Sequence, residues 1–341
     1  MAYSTIIKPN TNFTTRTYTA TGAGSVSDVS FQPDFLWFKN RTVVGNHGLM
    51  DSVRGIKKIL HSNDATQEAT SPANNDFETF TSNGFTYGTS SALDSGSGTP
   101  VTWLWKAGGT AVSNTAGSIT SSVSANTDSG FSIVSYTGNG GNGTVGHGLG
   151  VAPKMVIIKT RSGSGSWVVG HDSMGWGFWM PLDATNAKIS SATMFQNTAP
   201  TSTVFSENVF GTDTCIAYCF AEKKGFSKYG SYAGNGSGTD GTFVYLGFKP
   251  ALVVVRSYTT ASSWNFMDNK RQTYNDGTIP YLKANFNGVE ITTNPNMDFL
   301  SNGFKFRTTD NDFNGSGQSY IYMAFAEAPI VGSNNVPANA R

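Results

Sequence analysis

One pattern of residues recurs along this chain, and it constrains the fold more than any other feature of the sequence. Its clearest copy runs from Phe131 to Asp172, where apolar segments alternate with a Gly/Asn turn, a proline turn and a second glycine turn. The pattern returns between Tyr232 and Asp268 and, more loosely, between Tyr18 and Arg41. Short apolar segments bounded by such turns are typical of β-strands. The sequence therefore predicts three copies of one strand-rich unit.

A proline precedes the same apolar segment in each copy and sets the length of the repeat. Pro33, Pro153 and Pro250 lie 120 and 97 residues apart. A unit of about 100 residues is a complete domain rather than one repeat of a solenoid. Turn signals about every ten residues within each copy are the pattern of a β-sandwich or jelly roll. We therefore predict an all-β protein with three tandem, related β-sandwich domains of jelly-roll-like form.

Composition places the boundaries between these units. One segment consists almost wholly of Gly, Ser, Thr, Ala and Asn, which is the composition of a linker. The two ends of the chain contain prolines and small polar residues and are expected to be extended. The predicted parts are an N-terminal arm (1–15), repeat 1 (16–107), the linker (108–129), repeat 2 (130–222), repeat 3 (225–328) and a C-terminal tail (329–341).

Charge and hydropathy disfavour several classes of protein. Only 13% of the residues are charged and the net charge is +1, without a long basic run, so nucleic-acid binding is not expected. No apolar run approaches the roughly 18 residues of a membrane span, and membrane insertion is not expected. The first residues, MAYSTIIKPN, lack the apolar core of a signal peptide. Synthesis in a host cytoplasm without cleavage is the expectation.

The two cysteines, Cys215 and Cys219, occur in the segment CIAYC. On a strand this spacing puts both thiols on one face about 13 Å apart, which is too far for a disulfide. The favoured interpretation is two buried thiols that pack as small apolar side chains. A metal site would need further ligands that the neighbouring sequence does not offer, so neither a metal nor a cofactor is predicted.

Histidines in the clearest copy are the first candidates for binding. His147 lies in the glycine turn GHGLG, where it could contact a ligand or bond the backbone across the loop. His171 and Asp172 end a segment that aligns with the one ending at Asp268, and Asp51 is their possible counterpart in the first copy. A catalytic base is one interpretation of these aspartates. The favoured alternative is a structural carboxylate that bonds turn amides or a nearby arginine.

Aromatic and arginine side chains give a second set of candidates. Arg41, Arg161 and Arg256 follow the apolar segment of each copy and either pair with the aspartates or contact a glycan or protein. Trp176 and Trp179, with Phe178 between them, either stack on sugar rings or belong to the core. The candidate ligand-binding residues are His147, His171, Trp176, Trp179 and Arg161, and no catalytic residue is predicted.

Motifs for catalysis are not legible in the sequence. Nothing resembles the nucleophile turn GxSxG, and the glycine-rich segment GNGGNG lacks the Lys-Ser/Thr and the helix of a phosphate-binding loop. A pair of carboxylates for glycoside hydrolysis can be neither identified nor excluded in a sequence. The expectation is therefore a protein without enzymatic activity, with a polysaccharide depolymerase as the minor alternative.

Three segments resemble a protein found in marine tailed bacteriophages. They are MAYSTIIKPN at the start, TVGHGLGVAPKMVIIK in the middle and IYMAFAEAPIVGSNNVPANAR at the end. The motif HGLGxxPK, from His147 to Lys154, is also similar to segments of other phage tail-fibre domains. The resemblance implies a repeated-domain virion protein of unknown function and supplies no catalytic residues.

The resemblance and the repeats together predict a virion structural protein. The expected role is a tail fibre, spike or surface appendage that attaches to the host through weak, multivalent binding of surface glycans. Other virion proteins and further copies of the chain, in a homo-oligomer, are its expected partners. A capsid decoration or cement protein is the alternative, because terminal arms can lace neighbouring subunits together.

Overall fold

The computed structural model describes residues 4–70, 77–89, 98–271, 275 and 277–330. Within these residues the chain is built almost entirely from antiparallel strands, and helix is limited to two 3-10 turns at Pro9–Thr11 and Asp172–Met174. The all-β prediction is confirmed. Most of the predicted C-terminal tail, residues 331–341, lies outside the described residues.

The strands fall into three consecutive groups, named units 1, 2 and 3. Unit 1 contains β1 (Phe13–Thr17), β2 (Gly24–Val26), β3 (Phe35–Asn40), β4 (Gly48–Asp51), β5 (Lys58–Ile59), β6 (Ala69–Thr70), β7 (Phe77–Thr81), β8 (Gly84–Tyr87) and β9 (Pro100–Trp105). Unit 2 contains β10 (Val112–Asn114), β11 (Ser121–Asn126), β12 (Phe131–Thr137), β13 (Gly143–Gly146), β14 (Met155–Thr160), β15 (Val168–His171), β16 (Phe178–Pro181), β17 (Ile189–Ser190), β18 (Val204–Glu207) and β19 (Thr214–Phe220). Unit 3 contains β20 (Ser227–Ala233), β21 (Phe243–Tyr245), β22 (Phe248–Ser257), β23 (Asn265–Asp268), β24 (Tyr281–Lys283), β25 (Met297–Leu300), β26 (Gly303–Phe306) and β27 (Ser319–Pro329).

Each unit has a main sheet with the same strand order. The order is β1-β9-β3-β4 in unit 1, and β12-β19-β14-β15 and β20-β27-β22-β23 recur within the larger sheets of units 2 and 3. The registers also agree, because Phe35, Met155 and Leu252 lie opposite Trp105, Phe220 and Phe325 respectively. These pairings identify equivalent positions in the three units without reference to sequence alignment.

A smaller sheet packs on the outer face of each main sheet. Its order is β2-β8-β7 in unit 1, β13-β18 in unit 2 and β21-β26-β25 in unit 3. In each, a valine lies opposite a phenylalanine, and both side chains are buried: Val26 with Phe85, Val145 with Phe205, and Val244 with Phe304. The two stacked sheets give every unit a sandwich-like form.

The segments predicted as arm and linker also carry strands. β1 begins at Phe13, inside the predicted arm, and the preceding Ile6 packs in the core. The linker segment 108–129 contains β10 and β11, which pair with each other, and β11 extends the sheet of unit 2 by pairing with β12. Linker composition here forms a hairpin with one exposed strand, β10, and one partly buried strand, β11, rather than an open connection.

The inner faces of the three main sheets bury one another. Alternate side chains of β3 divide between two cores, since Phe35 and Trp37 point to the centre and Leu36 and Phe38 to the small sheet. The central core takes residues from all three units, and its rings meet across them: Phe35 stacks on Tyr218, with ring centroids 4.3 Å apart. Burial on both faces explains why β3, β14 and β22 each contain four consecutive apolar residues (35–38, 155–158 and 252–255) rather than an alternating pattern.

Buried networks and a candidate binding surface

Three equivalent positions at the junctions between units carry ionisable side chains. Asp51, His171 and Asp268 lie opposite Phe35, Met155 and Leu252 in the registers of the three main sheets. None of the three is more than 1% exposed. The sequence alignment matched Asp172 with Asp268, whereas the register places His171 at that position. The reason is that each strand spans the four residues after its tryptophan, so β15 ends at His171 and β23 at Asp268.

Asp51 joins unit 1 to unit 2. Its Oδ1 accepts hydrogen bonds from the backbone amides of Val53 (3.0 Å) and Arg54 (2.8 Å). Its Oδ2 accepts from the Arg54 guanidinium (2.5 Å) and from the Tyr218 hydroxyl of unit 2 (2.8 Å). The carboxylate is therefore buried with its charge paired, which is the condition under which a buried charge is tolerated.

Asp268 makes the same arrangement between unit 3 and unit 1. It accepts from the amides of Lys270 (3.0 Å) and Arg271 (3.1 Å) and from the Arg271 guanidinium (2.7 Å). The donor from the next unit is Trp103, whose Nε1 lies 3.1 Å from Oδ2. Trp103 and Tyr218 occupy equivalent places on β9 and β19. Both junctions therefore pair a buried aspartate with an arginine of its own unit and an aromatic donor of the next unit.

His171 occupies the third junction, between units 2 and 3, with different chemistry. The equivalent of Trp103 and Tyr218 is Met323, which has no hydrogen-bond donor. His171 instead accepts the Ser173 amide at Nδ1 (3.1 Å) and places Nε2 3.3 Å from the Tyr322 carbonyl, so Nε2 carries the proton. Met174 takes the place of Arg54 and Arg271. At this position the third junction contains no ion pair.

A second layer of charges extends two of these junctions. Glu68 of unit 1 bridges Arg54 and Arg161, and both oxygens accept from Arg161 at 2.9 and 3.0 Å. Glu290 of unit 3 bridges Arg271 and Arg41 in the same way. At the third junction Lys188 lies 4.2 Å from the ring centroid of Phe178 and 5.1 Å from that of Tyr258. Arg161, a predicted ligand contact, is thus held by Glu68.

Buried cations mark one further set of equivalent positions. Lys39, Lys159 and Arg256 are all 0% exposed and lie opposite Val101, Ile216 and Ile321. Arg256 is therefore the counterpart of the two lysines and not, as the alignment had it, of Arg41 and Arg161. Backbone carbonyls cap all three cations, which donate to Val43, Asn40, Ala65, Thr160, Pro181 and Asn186. Burial lowers the pKa of each lysine to about 8.

Acid is expected to destabilise the protein through its buried histidines. Burial lowers the pKa of His171 from 6.5 to about 4, and it also lowers the pKa values of His47 and His147. Between those two pH values the unfolded chain binds more protons at His171 than the folded chain does. The free energy of unfolding therefore decreases as pH falls from 6.5 to 4.

The variant His171→Asn isolates this effect, because an amide fills similar space without titrating. Between pH 7 and pH 4, the free energy of unfolding of the variant is expected to fall by about 3 kcal/mol less than that of the wild type. Urea unfolding at several pH values measures both curves. If the free energies of unfolding of the variant and the wild type change with pH in parallel, the assignment of this pH dependence to His171 is wrong.

The other predicted site residues also face into the protein. His147 is fully buried; its Nδ1 accepts the Leu149 amide (3.2 Å) and its Nε2 lies 3.2 Å from the Thr201 carbonyl. Trp176 is 6% exposed and meets Phe195 edge to face, and Trp179 packs, partly buried, against the same core. These contacts are those of turn and core residues.

Thiols and metal ligands offer no reactive centre in the described part of the chain. Cys215 and Cys219 are free and at most 1% exposed, as predicted, and burial raises the pKa of Cys215 to about 12. The described residues contain no group of three or more His, Cys, Asp or Glu side chains placed to hold a metal ion. Among them, no helix has the length and apolar character needed to cross a membrane.

Two surface cavities have both polar and apolar linings. The larger, about 910 Å³, lies between the N-terminal segment, the segment that follows β9 and the turn between β11 and β12, and it includes Asp34, Lys106 and Asp128. Asp34 faces inward, accepts the Ala107 amide at 2.8 Å and has its pKa raised by burial. The smaller, about 590 Å³, is lined by serines and threonines of unit 2 with Tyr136.

The candidate binding surface lies on the small sheet of unit 3. Phe243 and Tyr245, on the edge strand β21, are 44% and 49% exposed, while Val244 between them is buried. Because alternate residues of a strand share a face, both rings point to solvent. Sequence inspection missed this pair, which we name the unit 3 platform, because FVY is an ordinary strand pattern.

Comparisons with known proteins identify a family but no characterised relative. A family model described as a domain of unknown function (DUF7483) matches residues 8–329. This single match spans all three units. No curated protein and no solved structure matches the chain significantly.

Proposed function

We propose a function from the premise that this chain belongs to the family of the domain of unknown function DUF7483. It is a non-catalytic structural protein of a tailed-phage particle, placed in a fibre, spike or similar appendage. There it attaches to glycans of the host surface through weak contacts that copies of the chain multiply. The phage assignment rests on the sequence resemblance, and the binding assignment rests on the geometry.

The observation that carries the binding role is the exposure of the unit 3 platform. Contiguous exposed apolar side chains mark interaction sites, whereas single ones scattered on a surface do not. Elsewhere the candidate groups are engaged internally, as Arg161 is with Glu68 and His147 with its own turn. A rigid body with one shared core is suited to presenting such a surface.

The N-terminal segment bears on the alternative of a capsid decoration protein. That alternative relied on an arm that laces neighbouring subunits. In the described residues the arm packs on its own chain, since Ile6 lies in the central core and Ser4 approaches Gly225 of unit 3. We therefore favour the appendage.

Location and copy number on the particle test the proposal. Antibody-gold labelling of intact virions is expected to mark the tail or an appendage, and quantitative mass spectrometry is expected to find tens of copies or fewer. Hundreds of copies spread over the head would support decoration instead. Absence from purified virions would overturn the virion role, and release of reducing sugar from host polysaccharide would show a depolymerase.

A further inference from the structure

We propose that the unit 3 platform binds an acidic oligosaccharide, an inference that rests on the proposed attachment function and names its site and ligand class. The two rings stand two residues apart on β21, which separates them by about 7 Å along the strand. Each can therefore meet a different sugar of one chain. The ring of Phe243 lies over the backbone of Gly303, where a Cβ atom would come within 3.1 Å of it.

The internal repeat shows that the fold does not require these aromatic residues. Val26, Val145 and Val244 are equivalent, because each lies opposite the equivalent phenylalanine of its small sheet. The residues that flank the valine are Ser25 and Ser27 in unit 1, Thr144 and Gly146 in unit 2, and Phe243 and Tyr245 in unit 3. Two units form the same sheet with small residues, so the rings of unit 3 are an addition to the scaffold.

Two lysines accompany the rings, and they too are specific to unit 3. Lys305 lies opposite Phe243, and the equivalent residues are Thr86 and Ser206. Lys228 lies opposite Ala324, and its equivalents by register are Thr14 and Ser132. Four equivalent positions are therefore occupied by Ser, Thr or Gly in units 1 and 2, and by two aromatic and two basic residues in unit 3.

The lysines border the rings and leave an excess of positive charge. The ammonium group of Lys228 lies 5.3 Å from the ring centroid of Tyr245 and donates to its carbonyl at 2.7 Å. Lys305 pairs with Asp240, an 87% exposed carboxylate, at 2.5 Å. Lys228 forms no ion pair with any residue that the structure describes. Asp298 lies opposite Lys305 on β25 and pairs with Arg307. Three cations against two carboxylates leave one positive charge in excess, which favours an anionic ligand.

Aromatic faces beside ammonium groups are complementary to a sugar chain that carries carboxylate, sulfate or phosphate. The C–H faces of pyranose rings stack on aromatic side chains, and the ammonium groups form charge-assisted hydrogen bonds to the anionic substituents. Neutral glycans would use the rings and leave the lysines with water. The acidic class is therefore the better match.

Variants that restore the residues of units 1 and 2 test this assignment in the full-length protein. Phe243→Ser with Tyr245→Ser removes the rings, and Lys228→Thr with Lys305→Thr removes the charges. Phe286→Ser is the matched control, because Phe286 is a 53% exposed aromatic residue of the same unit away from the platform. The melting temperature of each variant is expected to stay at the wild-type value.

Binding is measured on an array of bacterial surface polysaccharides with acidic and neutral members. Wild type and the control are expected to bind acidic members, more weakly at about 500 mM than at about 50 mM salt. Loss of the rings is expected to weaken binding roughly tenfold or more. Loss of the lysines is expected to abolish the preference for acidic over neutral members.

The outcomes separate this inference from the proposed function. Acidic-glycan binding that survives loss of the rings would place the site elsewhere and leave the attachment role standing. A wild-type preference for neutral members would overturn the acidic class. If the protein is shown to lie on the tail but binds no polysaccharide of the array, the platform is not a glycan-binding site. Absence from virions would overturn the function itself.

Discussion

A fragment that contains only residues 130–222 is expected not to fold when it is produced alone. Twelve of its buried residues line the central core that units 1 and 3 complete, namely Phe131, Ile133, Met155, Ile157, Trp167, Val169, Met174, Met180, Leu182, Ile216, Tyr218 and Phe220. Leaving one such side chain in water forfeits about 1.5–3 kcal/mol. The sum exceeds the roughly 5–15 kcal/mol by which whole domains are stable.

Thermal unfolding followed by near-ultraviolet circular dichroism measures this directly. The fragment is expected to give no cooperative transition, whereas the full-length chain gives one. A protease site inserted after Thr110 provides the control, because Thr110 is exposed between units 1 and 2. The cleaved pieces are expected to stay associated through the shared core. A cooperative transition in the isolated fragment would show instead three independent domains.

The strand-rich architecture could be predicted because its signals are local. Glycine and proline turns punctuate short apolar segments. Pro33 and Pro153 precede β3 and β14 as expected, whereas Pro250 lies inside β22, where the register shifts. The central core could not be predicted in this way. The segments that begin at Phe35, Met155 and Leu252 are apolar at four consecutive positions. This indicates burial on both faces but does not identify what covers each face.

The candidate site was harder to predict than the fold, for two physical reasons. His147 and Trp176 were chosen by residue type, and only tertiary packing decides that both are buried. Phe243 and Tyr245 were overlooked because aromatic residues are common on strands. The signal that could have found them is the comparison of repeats at single positions, where the other two copies carry Ser, Thr or Gly.

Asp51→Asn is expected to lower the free energy of unfolding by about 3–5 kcal/mol, because it leaves the buried guanidinium of Arg54 without its main counter-ion. Neither side chain of this pair is exposed, so water cannot replace the carboxylate. The remaining contact of Arg54 with an anion is the 3.3 Å pair with Glu68, which Arg161 also occupies. Chemical denaturation at neutral pH measures the loss.

Asp172→Asn is the matched control, since Asp172 follows His171 directly and pairs with Lys154 in solvent. The two side chains of that pair are 44% and 41% exposed, and its loss is expected to cost less than about 1 kcal/mol. Equal losses in the Asp51 and Asp172 variants would contradict the role of burial.

A double variant separates the unpaired charge from the loss of hydrogen bonds. Arg54→Met reproduces the residue that unit 2 carries at the equivalent place, Met174, and it removes the stranded cation. Asp51→Asn with Arg54→Met is therefore expected to be more stable than Asp51→Asn alone. A double variant less stable than the single one would show that the hydrogen bonds of Asp51, rather than its charge, hold units 1 and 2 together. The junction of His171 and Met174 supports the first outcome, because at the equivalent position it joins two units of the same fold without an ion pair.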